Sequence, residues 1–82
     1  MRIVSEIPHS HFKITIFSWN SKYIIKIELA NFEQLFKIKE EDVTGPDDVR
    51  KMLDDEFLDA ALQRFIDMRS SFTKAFQKIN PL

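Results

Sequence analysis

The chain has 82 residues, a mass of 9.7 kDa and a formal net charge of −1, with 44% hydrophobic and 30% charged residues. That length holds one hydrophobic core, so a single domain over residues 1–82 is expected, and the composition argues against a disordered chain. Without cysteine there is no disulfide, thiolate nucleophile or thiolate metal site, and a single glycine leaves little material for a phosphate-cradling loop.

No apolar run approaches the ~20 residues of a membrane span. The first residues, Met1 to Glu6, lack the apolar stretch of a signal peptide. The expectation is a cytoplasmic protein with no membrane contact.

The near-zero charge conceals a segregation. Residues 1–39 carry six cations and three anions, residues 40–59 nine anions and two cations, and residues 60–82 four cations and one anion. A basic face and an acidic face can therefore coexist, which bears on partners rather than on fold.

The chain opens with an extended segment, residues 2–7, stopped by Pro8. Its alternation puts Ile3 and Ile7 on one face, and no partner strand is assigned. A proline is tolerated at a sheet edge, so this segment is a candidate fourth, edge strand. Residues 12–19 alternate strictly: Phe12, Ile14 and Ile16 oppose Lys13, Thr15 and Phe17. Residues 23–29 repeat the pattern, with Tyr23, Ile25, Ile27 and Leu29 opposite Ile24, Lys26 and Glu28. Period-two alternation in β-branched and aromatic residues predicts strands.

Asn20-Ser21 fits a two-residue turn between them, because Asn tolerates positive φ. That turn sets Phe12 against Leu29, Ile14 against Ile27, Ile16 against Ile25, Lys13 against Glu28 and Phe17 against Ile24. Apolar meets apolar and opposite charges meet, and a one-residue slip would mix the faces. A second turn at Ala30-Asn31 brings in residues 32–39, pairing Leu29 with Phe32, Ile25 with Phe36 and Tyr23 with Ile38. Two of its pairs fit poorly: Ile27 against Gln34 inside, and Glu28 against Glu33 outside.

Thr44-Gly45-Pro46 followed by Asp47 and Asp48 predicts a helix start, with Thr or Gly as cap, proline in the first turn and anions at the positive dipole end. A short helix over 46–53 follows. Asp54 reads as the cap of a second helix over 55–79, ended by Asn80-Pro81. Its apolar residues Leu58, Ala61, Phe65, Met68, Phe72, Ala75 and Ile79 step by 3 and 4 alternately, a heptad seam widened by Phe57, Leu62 and Phe76.

A helix over 55–79 spans roughly 36 Å, whereas a seven- or eight-residue strand spans roughly 25 Å. The helix is therefore expected to overhang its sheet. Phe72, Phe76 and Ile79 are then left exposed on one stripe, most simply covered by the same stripe on a second copy, so a homodimer with Met68, Phe72, Phe76 and Ile79 at its interface is expected.

Chemistry-bearing groups are few. His9-Ser10-His11 offers two imidazoles with no third ligand, and the carboxylates at 40–42 and 54–59 lack calcium-loop spacing. No serine or threonine sits in a nucleophile elbow. No metal, cofactor or enzymatic activity is expected. The outer sheet face instead gathers Lys26 and Lys37 around Phe17, Trp19, Ile24 and Leu35. Those six residues suit a protein contact, with aromatic anchors inside a lysine rim. They also suit weak stacking of single-stranded nucleic acid, and they suit a plain solvated face. The overall charge and the absence of RNA-recognition signatures count against nucleic acid.

The segment from Lys13 to Glu28 resembles the hairpin of a group of small uncharacterised bacterial proteins in which a meander precedes an acidic capped turn and a C-terminal helix. The resemblance covers nearly the whole chain. It implies a bacterial cytoplasmic protein and carries over no functional residue. The combined expectation is an α+β fold: a three- or four-stranded antiparallel meander packed by a long C-terminal helix through a short connecting helix. The functional expectation is a non-catalytic homodimeric protein-interaction or adaptor module, the alternative being a weak single-stranded nucleic-acid binder.

Overall fold

Alternation and turn chemistry build the first half of the molecule. A computed structural model describes residues 1–80; the expected stop at Pro81 lies outside them. Four strands, β1 (Arg2–Ile7), β2 (Lys13–Trp19), β3 (Lys22–Leu29) and β4 (Phe32–Lys39), form one antiparallel sheet in the order β1-β2-β3-β4. A 3-10 turn over Glu40–Asp42 follows, then α1 (Pro46–Met52) and α2 (Asp55–Gln77). The fold is α+β, with an antiparallel sheet and a long C-terminal helix.

The β2–β3 register is the one alternation demands: Lys13 pairs with Glu28, Ile14 with Ile27, Ile16 with Ile25 and Phe17 with Ile24. Asn20 and Ser21 take φ of 56° and 62°, the left-handed pair that matches strand twist in a two-residue hairpin. Phe12 precedes the ladder rather than pairing with Leu29, yet it is buried. At the second turn Ala30 carries φ of 54°, a conformation costly for a residue with a Cβ. The β3–β4 ladder then runs unbroken from Leu29–Phe32 to Lys22–Lys39.

β1 corrects one expectation. It pairs with β2, but its register shifts between Ile3 and Ser5, a β-bulge. Ile3 lies opposite Phe17 and Ile7 opposite Ile14, so the two isoleucines occupy opposite faces. Val4, beside the bulge, packs against the core together with Ile7.

The core lies between the inner sheet face and both helices: Phe12, Ile14, Ile16, Ile25 and Ile27 meet Val49 and Leu53 on or beside α1 and Leu58, Ala61 and Phe65 on α2. The start of α1 is fixed by Gly45 as cap and Pro46 in the first turn, while Thr44 donates both its amide (2.9 Å) and its hydroxyl (2.7 Å) to Asp48 Oδ2. Those two bonds, the amide first, hold the Asp48 carboxyl below its ordinary pKa. Asp54 caps α2, its Oδ1 accepting from the Phe57 amide at 2.9 Å.

Both poorly fitting cross-strand pairs are resolved by third parties. Gln34 is buried because α2 meets it: its Nε2 donates to the Ala61 carbonyl at 2.9 Å, and Arg64 Nε donates to its Oε1 at 2.8 Å. Arg64 in turn lies over the Phe36 and Phe57 rings. On the outer face Lys26 Nζ sits 3.2 Å from Glu33 and 3.7 Å from Glu28, bridging the two like charges.

Candidate interaction surfaces

Each face of the sheet follows from the pairing registers. With both helices on the inner face, the outer face is a single layer of side chains that no helix covers, in which Thr15 and Ile24 are nonetheless buried among their neighbours. One end row runs Trp19, Lys22, Lys39 across β2, β3 and β4. The next runs Ile3, Phe17, Ile24, Lys37 from β1 to β4, and then Glu6, Thr15, Lys26, Leu35. The opposite end row is Lys13, Glu28, Glu33.

Ile3 is 57% exposed, Trp19 51% and Leu35 50%. Phe17 is half-buried. Ile24 departs from expectation. It is only 3% exposed, because it stands mid-face on an inner strand, with Phe17 and Lys37 opposite it and Lys22 and Lys26 two residues away on the same side. Ile24 is thus the floor of the patch rather than a contact residue, and Ile3, which alternation alone had sent to the face of Ile7, takes its place at the surface. The bulge is the signal that was missing: nothing local in Ile3-Val4-Ser5 announces it.

Lys26 is also changed in role. The hydrogen bond to Glu33, with the Glu28 charge behind it, raises the Lys26 pKa above its ordinary value and commits its charge within the face. Lys22, Lys37 and Lys39 form no ion pair among the described residues.

The second surface is the far end of α2. At 1.5 Å per residue its 23 residues span roughly 35 Å, longer than the eight-residue strands beneath it, which reach roughly 27 Å. Burial stops where the sheet does. Leu58, Ala61 and Phe65 are buried. Met68, expected at the dimer interface, is half-buried against the core, at the margin of the monomer's own packing. Every residue from Arg69 to Asn80 is exposed. Phe72 is 58% exposed, Phe76 46% and Ile79 81%. The Phe72 ring meets Phe32 edge-on at 5.7 Å, the last aromatic contact with the sheet, and stacks with Phe76 at 6.2 Å. The radius of gyration, 15.0 Å, exceeds the roughly 12 Å of a compact chain of this length.

His9 serves the chain itself. His9 Nδ1 accepts from the amides of His11 (3.1 Å) and Phe12 (3.3 Å), and its ring stacks on Phe12 at 4.8 Å. Its lone pair is therefore occupied in shaping the bend into β2. Among the described residues no three His, Cys, Asp or Glu side chains gather in a metal-binding group. No described helix is long and apolar enough to cross a membrane.

The chain matches no protein-family model, no curated protein and no solved structure. Its candidate surfaces therefore rest on geometry alone: one aromatic and cationic sheet face, and one apolar helix end.

Proposed function

We propose that this chain is a non-catalytic, homodimeric protein-interaction module. It self-associates through the far end of α2 and presents the outer sheet face to a protein partner. The observation carrying this reading is the continuity of the α2 stripe. The same 3-and-4 spacing that buries Leu58, Ala61 and Phe65 runs on into exposed Phe72, whose ring still meets Phe32 at the margin of the sheet, and then into exposed Phe76 and Ile79. Exposed aromatic side chains aligned on one helix stripe belong against a partner. The resemblance of the hairpin to small bacterial proteins supports a bacterial, cytoplasmic setting.

Phe76→Glu is the matching test. It is expected to halve the molar mass measured by light scattering, while far-UV circular dichroism stays unchanged because Phe76 lies beyond the sheet. An unchanged mass would refute self-association through this stripe.

The second reading, a platform for single-stranded nucleic acid, draws support from half-exposed Trp19 beside Lys22 and Lys39 in one row. It loses Lys26, which the sheet's own carboxylates already neutralise. Ionic strength separates the two readings. Affinity for a single-stranded oligonucleotide that falls steeply with salt, and falls again in Lys37→Glu, would favour the platform through counterion release. An oligonucleotide affinity that Lys37→Glu leaves unaltered would dismiss it.

A further inference from the structure

The sheet has two edges, and they differ. β1 is blunted by its bulge between Ile3 and Ser5 and by Pro8 directly after it. β4 has neither proline nor bulge, and its ladder to β3 is unbroken. The two-residue turn at Ala30-Asn31 makes Leu29 and Phe32 a hydrogen-bonded pair, so by alternation Phe32, Gln34, Phe36 and Ile38 bond to β3. The Glu40 amide, donating to the Ser21 carbonyl at 3.0 Å, continues that parity. Glu33, Leu35 and Lys37 therefore aim their amides and carbonyls away from β3, where no further strand lies. On the inner face Phe32, Phe36 and Ile38 are only half-buried, whereas Ile25 and Ile27 one strand in are fully buried. A groove of about 550 Å³, lined by Phe36 on β4 and by Arg64 and Met68 on α2, runs beside this edge.

We infer that β4 pairs antiparallel with β4 of a second copy about a two-fold axis through Leu35, joining the two sheets edge to edge. The sequence of β4 is complementary to itself in this register. Leu35 meets Leu35, Glu33 meets Lys37 of the second copy twice over, and on the inner face Phe32 meets Ile38. All of the outward amides and carbonyls of Glu33, Leu35 and Lys37 then find partners. The neighbouring registers set Leu35 against Glu33 or Lys37, and the next ones set Glu33 on Glu33 or Lys37 on Lys37. The charges are free for this use. Glu28 and Glu33 share a single lysine, Lys26, and Lys37 forms no ion pair among the described residues.

The same axis disposes of the overhanging helix end. α2 runs from Phe57, against Phe36, to Phe72, against Phe32, and continues past that end of β4. From Arg69 to Asn80 it carries Arg69, Lys74 and Lys78 and no anion, so two such ends laid on each other would repel. The two-fold instead brings the Phe32 end of one copy beside the Lys39 end of the other, where Glu40, Glu41 and Asp42 follow. Ile38 of the second copy arrives next to the Phe32 ring on which Phe72 packs. An edge roughly 27 Å long, with a sheet layer and a helix layer of about 10 Å each, buries on the order of 1,000 Å² over two copies, the size at which specific interfaces begin.

The inference rests on reading the chain as a homodimer and names the geometry of that dimer. Molar mass and the hydrogen exchange of single backbone amides are to be followed together over a dilution series of the pure protein. As the mass rises toward twice 9.7 kDa, the amides of Glu33, Leu35 and Lys37 should slow about tenfold or more, because they are bonded only in the dimer. Lys37→Glu should raise the dissociation constant about tenfold by facing Glu33 with a like charge. Glu33→Lys combined with Lys37→Glu should restore it, with native circular dichroism throughout. A mass that doubles while those three amides stay in fast exchange would overturn the β4 pairing and leave self-association through α2 standing. A monomeric mass at every concentration would overturn both. A double variant that associates no more tightly than Lys37→Glu alone would overturn the register about Leu35.

Discussion

Phe65→Ala should destabilise the protein by roughly 3–5 kcal/mol, the range for emptying a buried aromatic site. The ring is 2% exposed and meets Phe12 at 5.6 Å, joining the middle of α2 to the start of β2. A domain of this length is stable by only roughly 4–12 kcal/mol, so the variant sits near the folding threshold at ambient temperature. Phe72→Ala, two turns further on and mostly exposed, should cost the monomer well under half as much. Urea unfolding of both variants at low protein concentration checks the pair. If Phe65→Ala loses less than about 1 kcal/mol, α2 does not pack on the sheet through this residue.

The second large effect is expected from Ala61→Leu. Ala61 is completely buried, and its carbonyl lies 2.9 Å from Gln34 Nε2 on β4. The small side chain lets the helix backbone come down onto the strand. A leucine there overfills a packed site, at roughly 1–3 kcal/mol. It also lifts α2 away from Gln34, so the buried amide loses its acceptor, adding about 1 kcal/mol or more. Ala60→Leu is the control. Ala60 is exposed, and leucine there should be close to neutral, the two residues sharing helix propensity arguments but not surroundings. Equal stabilities for the two leucine variants would show that α2 does not approach β4 at Ala61.

Both predictions concern α2, the element whose local pattern carried the most information. Its heptad spacing, its Asp54 cap and the mismatch between helix length and strand length were all legible before any coordinates. The reason is that each depends on residues within a few positions of one another, or on simple rise per residue. The hairpin registers are equally local. Once Asn20-Ser21 and Ala30-Asn31 are turns, every cross-strand pair of β2, β3 and β4 is fixed by counting.

The candidate sites were legible only in outline. Phe17, Trp19, Leu35, Lys26 and Lys37 share a face because period two says so, and the structure places them there. How much of each is available is another matter. Ile24 is covered by neighbours on two other strands, and Lys26 is held by Glu33, which an antiparallel turn brings opposite Glu28. Met68 is half-buried because it packs against the core of its own chain.

Sequence by itself therefore determined the elements, the order of the meander, the pairing of three strands and the presence of an overhanging helix end. Those follow from alternation, turn geometry and helix periodicity, which act over short stretches of chain. Tertiary structure alone decided the rest. The bulge that turns Ile3 away from Ile7 answers to β2, and the burial of Gln34 depends on Ala61 and Arg64, 27 and 30 residues along the chain. A polar residue facing a core is a misfit until the element that satisfies it arrives, and nothing near it in sequence can say which element that will be.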